Sequence, residues 1–208
     1  GSGVDLDHYR PAPMPDGPIT FLMIARLLRD KGVYEYVEAA RQVKREHGQA
    51  RFWLLGPFDP NPAAVKPAEV DAWVREGVID YGGATDDVRP YIAGCHVFVL
   101  PSYREGTPRT VLEALAMGRP VITTDVPGCR ETVVDGQNGQ LVSARSGEAL
   151  GRAMLAAANQ RAAFASLGNN SRQRAVRLFS AHSVAATTLQ TLLPGTELQL
   201  DDALALAS

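Results

Sequence analysis

Short apolar runs alternate with longer amphipathic segments along this chain. Runs such as ITFLMIA at 19–25 and PVITTD at 120–125 are apolar almost throughout, which is typical of strands buried on both faces of a sheet. The same criterion, applied to the whole chain, predicts six strands, at 19–25, 51–56, 78–82, 96–102, 120–125 and 139–143.

Between these runs, apolar positions recur at helical spacing. Val33, Tyr36, Val37 and Ala40 share one face of a predicted helix at 32–47. The spacing predicts further helices at 67–77, 86–95 and 109–118, a short one at 128–134, and two or three alanine-rich helices from 146 onward. Strands that alternate with helices indicate βαβ crossovers. The expected fold is therefore α/β: an open, doubly wound parallel sheet of Rossmann-like type.

The two ends of the chain differ from this central part. Residues 1–18 contain four prolines and three glycines, so we expect an extended connector. Residues 19–180 carry the alternating pattern and are predicted to form one domain. Residues 181–208 are expected to be a C-terminal helix and tail, with apolar positions in 182–193 that pack across a domain junction.

Composition narrows the classes of function. The 208 residues carry a net charge of −2, which gives no reason to expect a nucleic-acid partner. Cys95 and Cys129 are too few for a disulfide framework and lack metal-ligand spacing, so we expect reduced thiols in the cytoplasm. No apolar run approaches the roughly 20 residues of a membrane span, and no signal peptide is expected at the start.

Candidate chemistry lies where the strands end, because open parallel sheets bind ligands outside the carboxyl ends of their strands. After the first strand, the segment ARLLRDKG places Arg26 and Lys31 before a helix. Two cations beside a helix N-terminus suit a phosphate or diphosphate. The alternative is a pair of surface cations, one of them paired with Asp30. Neither G-x-G-x-x-G nor a P-loop sequence is present.

The next two strand ends give weaker signals. Gly56 follows the second strand and would let a ligand approach the backbone closely. Gly82 and Gly83 form a flexible turn after the third strand. Asp86 or Asp87 is expected to cap the helix that follows, in preference to binding a metal ion.

The stretch REGTPRTVLEA after the fourth strand carries Glu105 and Glu113. A helix that begins near Thr107 or Pro108 leaves its first backbone amides, including those of Arg109 and Thr110, free to cradle an anion. Side chains of a helix tilt toward its N-terminus, so Glu113 can reach back to a ligand held there.

Each glutamate has a simpler interpretation: an i,i+4 ion pair between Glu113 and Arg109, and a solvated loop acid at Glu105. Together with Arg26 and Lys31 on a neighbouring strand end, however, two carboxylates beside an anion favour a ligand with hydroxyl groups on both sides of a diphosphate. A nucleotide sugar has this layout.

Three segments, ARLLRDKG, EGTPRTVLEALAMGRPVI and PGCRETVVDGQNGQLV, together resemble the C-terminal, donor-binding half of a family 4 retaining glycosyltransferase of GT-B architecture. The family elements R-x4-K-G, E-x7-E and P-G-x-x-E are matched in order by Arg26, Lys31 and Gly32, by Glu105 and Glu113, and by Glu131. GSGVDLDHYRP resembles the family's connector, G-x-G-V-D-x-x-x-F-x-P, with Tyr9 in place of phenylalanine.

The resemblance implies a role for each matching residue. Arg26 and Lys31 would hold the diphosphate and offset charge on the departing nucleotide, Glu105 would bind the transferred sugar, and Glu113 the ribose hydroxyls. Arg26, Lys31 and Glu105 are the implied catalytic residues. The other implied donor-binding residues are Gly106, Thr107, Arg109 and Thr110 on the helix approach, and Gly56, Gly82 and Gly83, the last two edging the base. Pro108 departs from members that have an N–H there.

The resemblance also implies the reaction. The donor would be a UDP-sugar of hexose or N-acetylhexosamine type, and the acceptor a lipopolysaccharide, surface polysaccharide or lipid-linked oligosaccharide, as in the bacterial members. No metal ion or other cofactor is expected. The acceptor site would lie in an N-terminal domain absent from this chain, so the chain alone should bind donor without transferring it. The whole enzyme would be cytoplasmic, peripheral at the inner face of the membrane. Two alternatives remain: a UDP-sugar 2-epimerase half and a non-catalytic nucleotide-binding module.

Overall fold

A computed structural model of the chain describes residues 3–181 and residue 184. The rest of the predicted C-terminal helix and tail lies outside the described residues. Every pair of neighbouring strands in the described sheet is parallel, and the strand order is β3-β2-β1-β4-β5-β6. The strands are β1 (Thr20–Ile24), β2 (Arg51–Leu55), β3 (Asp80–Tyr81), β4 (Val97–Leu100), β5 (Val121–Thr124) and β6 (Gly139–Val142).

Helices cover both faces of this sheet. They are α1 (Val33–Glu46), α2 (Pro67–Arg75), α3 (Arg89–Gly94), α4 (Arg109–Ala116), α5 (Gly147–Asn159) and α6 (Phe164–Arg174), with 3-10 turns at Arg29–Lys31 and Arg161–Ala163 and a π-helical turn at Ala175–Phe179. Side chains alternate along β1: Phe21 and Met23 pack with α1, α2 and α5, whereas Leu22 and Ile24 pack with α3 and α4. Both faces are buried, which confirms the doubly wound α/β prediction.

One predicted helix is wrong. Residues 127–132 form consecutive turns, and residues 133–134 have no regular structure. Gly128 has a φ of 85°, in the left-handed region, and the Thr132 hydroxyl donates to the carbonyl of Cys129. The Asn138 side chain accepts from the amide of Val134. These local side-chain hydrogen bonds offer the backbone an alternative to helix. The fourth helix begins at Arg109, as the predicted range 109–118 has it, and Pro108, where the start was also expected, is its N-cap.

The connector is docked on the domain along its length. Val4 forms a parallel bridge with Ser180, and its amide donates to the carbonyl of Phe179 at 2.7 Å. Farther along, the Arg172 guanidinium donates to the carbonyl of Tyr9 at 3.1 Å. The buried Arg119 guanidinium donates to the carbonyl of Ala12 at 2.8 Å. The predicted extended connector is wrong at residues 6–8, which form a turn closed by a hydrogen bond from the Tyr9 amide to the Asp5 carbonyl at 3.0 Å. Residues 10–16 have no regular structure, and arginine side chains hold the connector against the domain.

Candidate functional site

The strand order reverses between β1 and β4, and crossovers leave these two strands toward opposite sides of the sheet. Such a switch point opens a crevice at the carboxyl edge of the sheet. Gly32, after β1, has a φ of 78°, and a Cβ there would lie 2.2 Å from the carbonyl oxygen of Pro101, after β4. The loops that carry Lys31 and Glu105 therefore meet in direct backbone contact, which only glycine permits.

Lys31 and Glu105 form an ion pair across this crevice. Lys31 Nζ lies 2.7 Å from Glu105 Oε1, and both side chains are largely buried, at 18% and 14% exposed. The Ser102 hydroxyl donates to the same carboxylate oxygen at 2.7 Å. The pair is thus held in place before any ligand arrives. The structure thus places Lys31 and Glu105, which follow two different strands, in direct contact.

Arg26 has a different partner. Its Nη1 lies 3.0 Å from Asp59 Oδ2, in the loop after β2. The Arg26 side chain is 61% exposed, whereas that of Asp59 is 14% exposed. The two cations therefore pair with Glu105 and Asp59 rather than with Asp30. Sequence reasoning missed Asp59.

The N-terminus of α4 faces the same crevice. Pro108 contributes no N–H, and the amides of Arg109 and Thr110 donate to no described residue. The Thr110 hydroxyl donates to the carbonyl of Ile24 at 3.3 Å, which ties this helix start to the end of β1. The approach loop with Gly106 and Thr107 precedes it. Unpaired amides at a helix start make this an anion-binding terminus.

The approach loop packs against the loop after β5. A Cβ on Gly128 would lie 1.9 Å from the carbonyl oxygen of Gly106, so the two backbones touch. Glu131 Oε2 accepts from the amide of Gly128 at 2.6 Å and fixes that turn. Glu131 thus fixes the turn that touches the approach loop, and its carboxylate is engaged by the backbone.

Glu113 does not form the i,i+4 ion pair with Arg109 among the described residues. The connector covers it instead. A cavity of about 270 Å³ is lined by Glu113 and Arg109 together with Val4, His8 and Tyr9 of the connector, and by Gly3 and Asp5. Burial raises the pKa of the Glu113 carboxyl, and hydrogen bonding to Tyr9 and the charges of Arg109 and His8 offset part of the rise. Burial and Glu113 together raise the pKa of Tyr9 to about 12.

We expect Glu113→Gln to raise the melting temperature of the unliganded chain at neutral pH. An acid whose folded pKa is raised stabilises the fold below its unfolded pKa, and this contribution is lost as pH rises through the folded pKa. Glutamine stays neutral throughout. The advantage of the variant should therefore appear as pH rises above the ordinary value of 4.5 and then level off. Thermal unfolding from pH 4 to 8 measures it; equal melting temperatures throughout would contradict the burial of this carboxylate.

Gly56, Gly82 and Gly83 come together at the ends of β2 and β3. The Gly56 amide donates to the carbonyl of Gly83 at 2.8 Å. The Tyr81 hydroxyl donates to the carbonyl of Gly56 at 2.8 Å, and the ring of Phe58, 40% exposed, lies 5.5 Å from that of Tyr81. The three predicted glycines form one side of the crevice edge, with an aromatic pair that the sequence did not single out.

The remaining sequence candidates have structural partners. The expected cap is wrong, because Val88 is the N-cap of α3 and makes no side-chain cap hydrogen bond; Asp87, one residue earlier, accepts through Oδ1 from the amide of Arg89. Cys95 and Cys129 are free thiols and buried. Among residues 3–181, no group of three or more His, Cys, Asp or Glu side chains is placed to hold a metal ion. The expectation of metal-independent binding stays a prediction.

A family model described as "Glycosyl transferases group 1" matches residues 18–160. Among curated relatives, the N,N'-diacetylbacillosaminyl-diphospho-undecaprenol alpha-1,3-N-acetylgalactosaminyltransferase of Campylobacter jejuni is 40% identical over 118 residues, 57% of this chain and 30% of that protein. The lipopolysaccharide core biosynthesis glycosyltransferase LpsE of Rhizobium meliloti is 28% identical over 192 residues, 92% of this chain and 54% of that protein. The chain thus spans about half or less of these two relatives.

Solved structures share the fold. HepE from Anabaena, in complex with UDP, superposes with a TM-score of 0.80 at 20% identity, over 91% of this chain and 55% of that one. The C-terminal domain of LpcC, a group 1 family protein from Francisella tularensis, superposes with a TM-score of 0.72 at 20% identity. That match covers 86% of this chain and 100% of the LpcC domain. Within the described part of this chain, no helix is both long and apolar enough to cross a bilayer.

Proposed function

The chain belongs to the group 1 glycosyltransferases, and we propose that it is the donor-binding half of a retaining enzyme that moves a sugar from a UDP-sugar to a growing surface polysaccharide, lipopolysaccharide or lipid-linked oligosaccharide. The observation that carries the proposal is the crevice at the β1–β4 switch point. There the Lys31–Glu105 pair, Arg26 and the open N-terminus of α4 face one another. Cations and helix amides suit a diphosphate, and the carboxylates of Glu105 and Glu113 suit sugar hydroxyls on either side.

The assignment to one half of a larger enzyme has two supports. The curated relatives are two to three times as long as the matched part, since it spans 30% and 54% of them. The LpcC domain, which this chain covers fully, is described as a C-terminal domain. In this proposal, a second domain binds the acceptor, and the active site lies in the cleft between that domain and this one.

The UDP and acceptor assignments draw on the relatives. HepE was solved with UDP, and the Campylobacter enzyme is named for an undecaprenol-linked saccharide. A lipid-linked acceptor would bring the intact enzyme to the cytoplasmic face of the membrane. The transferred group is a hexose or an N-acetylhexosamine in this proposal.

In the proposed reaction, an acceptor hydroxyl attacks the anomeric carbon on the face from which the nucleotide departs. The bond from that carbon to the diphosphate oxygen breaks, a bond to the acceptor oxygen forms, and the acceptor proton passes to the departing phosphate. Negative charge grows on the diphosphate as this happens. Lys31, Arg26 and the amides of Arg109 and Thr110 stabilise that charge more strongly in the transition state than in the bound donor, which is what accelerates the step. Glu105 orients the sugar, and Glu113 the ribose.

Titration calorimetry of the chain with UDP, ADP and GDP in the presence of EDTA tests this proposal. We expect UDP to bind most tightly and without added divalent metal, since the two cations and the helix terminus supply the positive charge. Equal or absent binding of all three nucleotides would contradict a UDP donor site in this chain.

Product analysis of the intact enzyme tests the reaction. Incubation with a UDP-sugar should give no product until a saccharide acceptor is added, and the isolated chain should give none in either case. Conversion of the UDP-sugar to its 2-epimer without an acceptor would instead favour the epimerase alternative. A chain that binds nucleotide but supports no chemistry in the intact protein would favour the binding module.

A further inference from the structure

We propose that Asp59 is a positioning residue for donor binding, which aims Arg26 at the diphosphate; this inference rests on the proposed function. Asp59 lies in the loop after β2. Its Oδ2 holds Arg26 Nη1 at 3.0 Å, while its other oxygen, Oδ1, accepts from the amide of Asn61 at 2.9 Å. Both carboxylate oxygens are therefore engaged.

The loop that carries Asp59 is rigid. Pro57, Pro60 and Pro62 fix three of its φ angles. The Asn61 side chain accepts from the amide of Ala63 at 2.8 Å, which repeats the turn that Asp59 makes with Asn61. A carboxylate on such a loop is a fixed anchor, and its 14% exposure is consistent with that.

The same loop is joined by backbone hydrogen bonds to the segment that carries Arg26 and Lys31. The amide of Leu27 donates to the carbonyl of Pro57 at 3.0 Å, that of Arg29 to the carbonyl of Ala63 at 3.2 Å, and that of Val65 back to the carbonyl of Leu27 at 2.9 Å. The anchor and its arginine therefore sit on one joined unit, and their relative position is set before a ligand binds.

Arg26 keeps donors available for a ligand while it contacts Asp59. The contact uses Nη1, and no described residue accepts from Nε or Nη2. A guanidinium carries five N–H groups in a planar fork, so one edge can stay on Asp59 while another faces a phosphate. The arginine itself is 61% exposed. Without Asp59, the Arg26 side chain would become ordered only when the ligand binds, and the entropy lost in that step would weaken binding.

The test compares UDP binding by wild type and by Asp59→Asn, which keeps the shape of the side chain and removes its charge. We expect the variant to bind UDP about two- to tenfold more weakly, the cost of ordering one long side chain on binding. In an Arg26→Gln background, where Lys31 and the α4 amides still hold UDP, the same Asp59→Asn change should make no further difference.

Glu76→Gln serves as a matched control. Glu76 pairs with Arg41 at 2.6 Å between the end of α2 and α1, and it is likewise a carboxylate on a guanidinium. The Glu76→Gln substitution should leave UDP affinity unchanged. Urea unfolding of Glu76→Gln, Asp59→Asn and wild type shows whether either substitution changes the free energy of unfolding.

Three results would overturn the inference. Unchanged or tighter UDP binding by Asp59→Asn would mean that Asp59 only repels the diphosphate or does nothing. An equal loss in the Arg26→Gln background would mean that Asp59 acts through the loop and not through Arg26. Absence of UDP binding by wild type would overturn the proposed function and this inference with it, whereas normal wild-type binding with an inert Asp59 overturns the inference alone.

Discussion

Arg119→Met is expected to lower the free energy of unfolding by about 3–5 kcal/mol, because it leaves several buried backbone carbonyls without a donor. Arg119 has no exposed surface. Its guanidinium donates to the carbonyls of Ile92 and Ala93 at 2.8 Å, at the end of α3, and to those of Ala12 and Pro13 at 2.8 and 2.9 Å, in the connector. Methionine fills a similar volume but leaves these carbonyls without a donor, each at a cost of about 1–3 kcal/mol before relaxation.

Urea unfolding measures this loss, with Arg152→Met as the control. Arg152 pairs with Glu148 one turn away on the surface of α5, and such exposed pairs contribute about 0.3–0.5 kcal/mol. A difference between the Arg119 variant and wild type below about 1 kcal/mol would show that the connector is not held through this guanidinium.

Lys31→Met is expected to weaken UDP binding by about 10- to 100-fold, the range for a hydrogen bond to a charged group. Lys31 is the less exposed of the two site cations. The substitution removes the charge that faces the diphosphate and also leaves the Glu105 carboxylate with the Ser102 hydroxyl as its remaining described partner. An uncompensated carboxylate beside the anion adds repulsion to the lost attraction.

Calorimetry with UDP measures this effect, with Lys44→Met as the control. The Lys44 ammonium donates to the carbonyl of Gly77 at 2.6 Å and lies on the last turn of α1, whereas Lys31 precedes its first turn. The control removes the same charge from the other end of the same helix. If both variants lost affinity equally, net charge rather than the position of Lys31 would explain the result.

Much of the fold could be predicted because its strands are buried on both faces. ITFLMIA, RFWLLG and PVITTD are short apolar runs bounded by turn residues, and each contains an observed strand. The third strand was predicted over five residues but is two residues long, Asp80–Tyr81, because it pairs only with Trp53 and Leu54 at the edge of the sheet.

The helix predicted at 128–134 is absent, which shows a limit of prediction from local sequence patterns. Its turns depend on Asn138, whose side chain accepts from Val134 and donates to the carbonyl of Thr132. The residues of the segment itself do not reveal that a side chain several positions downstream will take their backbone hydrogen bonds.

The residues of the candidate site could be predicted from the sequence, but most of their interaction partners could not. Arg26, Lys31 and Glu105 could be placed at one sheet edge because each follows the end of a strand, and Glu113 because helical side chains tilt toward the N-terminus. The resemblance to the family gave them roles. Their partners are distant in sequence: Asp59 lies 33 positions from Arg26. Tyr9 reaches Glu113 only because the connector folds back over α4. Such contacts depend on how loops pack, which periodicity does not encode.

The central claim is that this chain holds a UDP-sugar through the crevice between β1 and β4, with Glu113 on the ribose. Calorimetric titration of UDP into wild type and Glu113→Gln, both in EDTA, tests it most directly. The account predicts metal-independent binding by wild type and affinity about tenfold or more weaker in the variant, because hydrogen bonds from ribose hydroxyls to a carboxylate are charge-assisted. Equal affinity of the two proteins for UDP would contradict the assigned ribose site, and absence of binding by wild type would contradict the donor site as a whole.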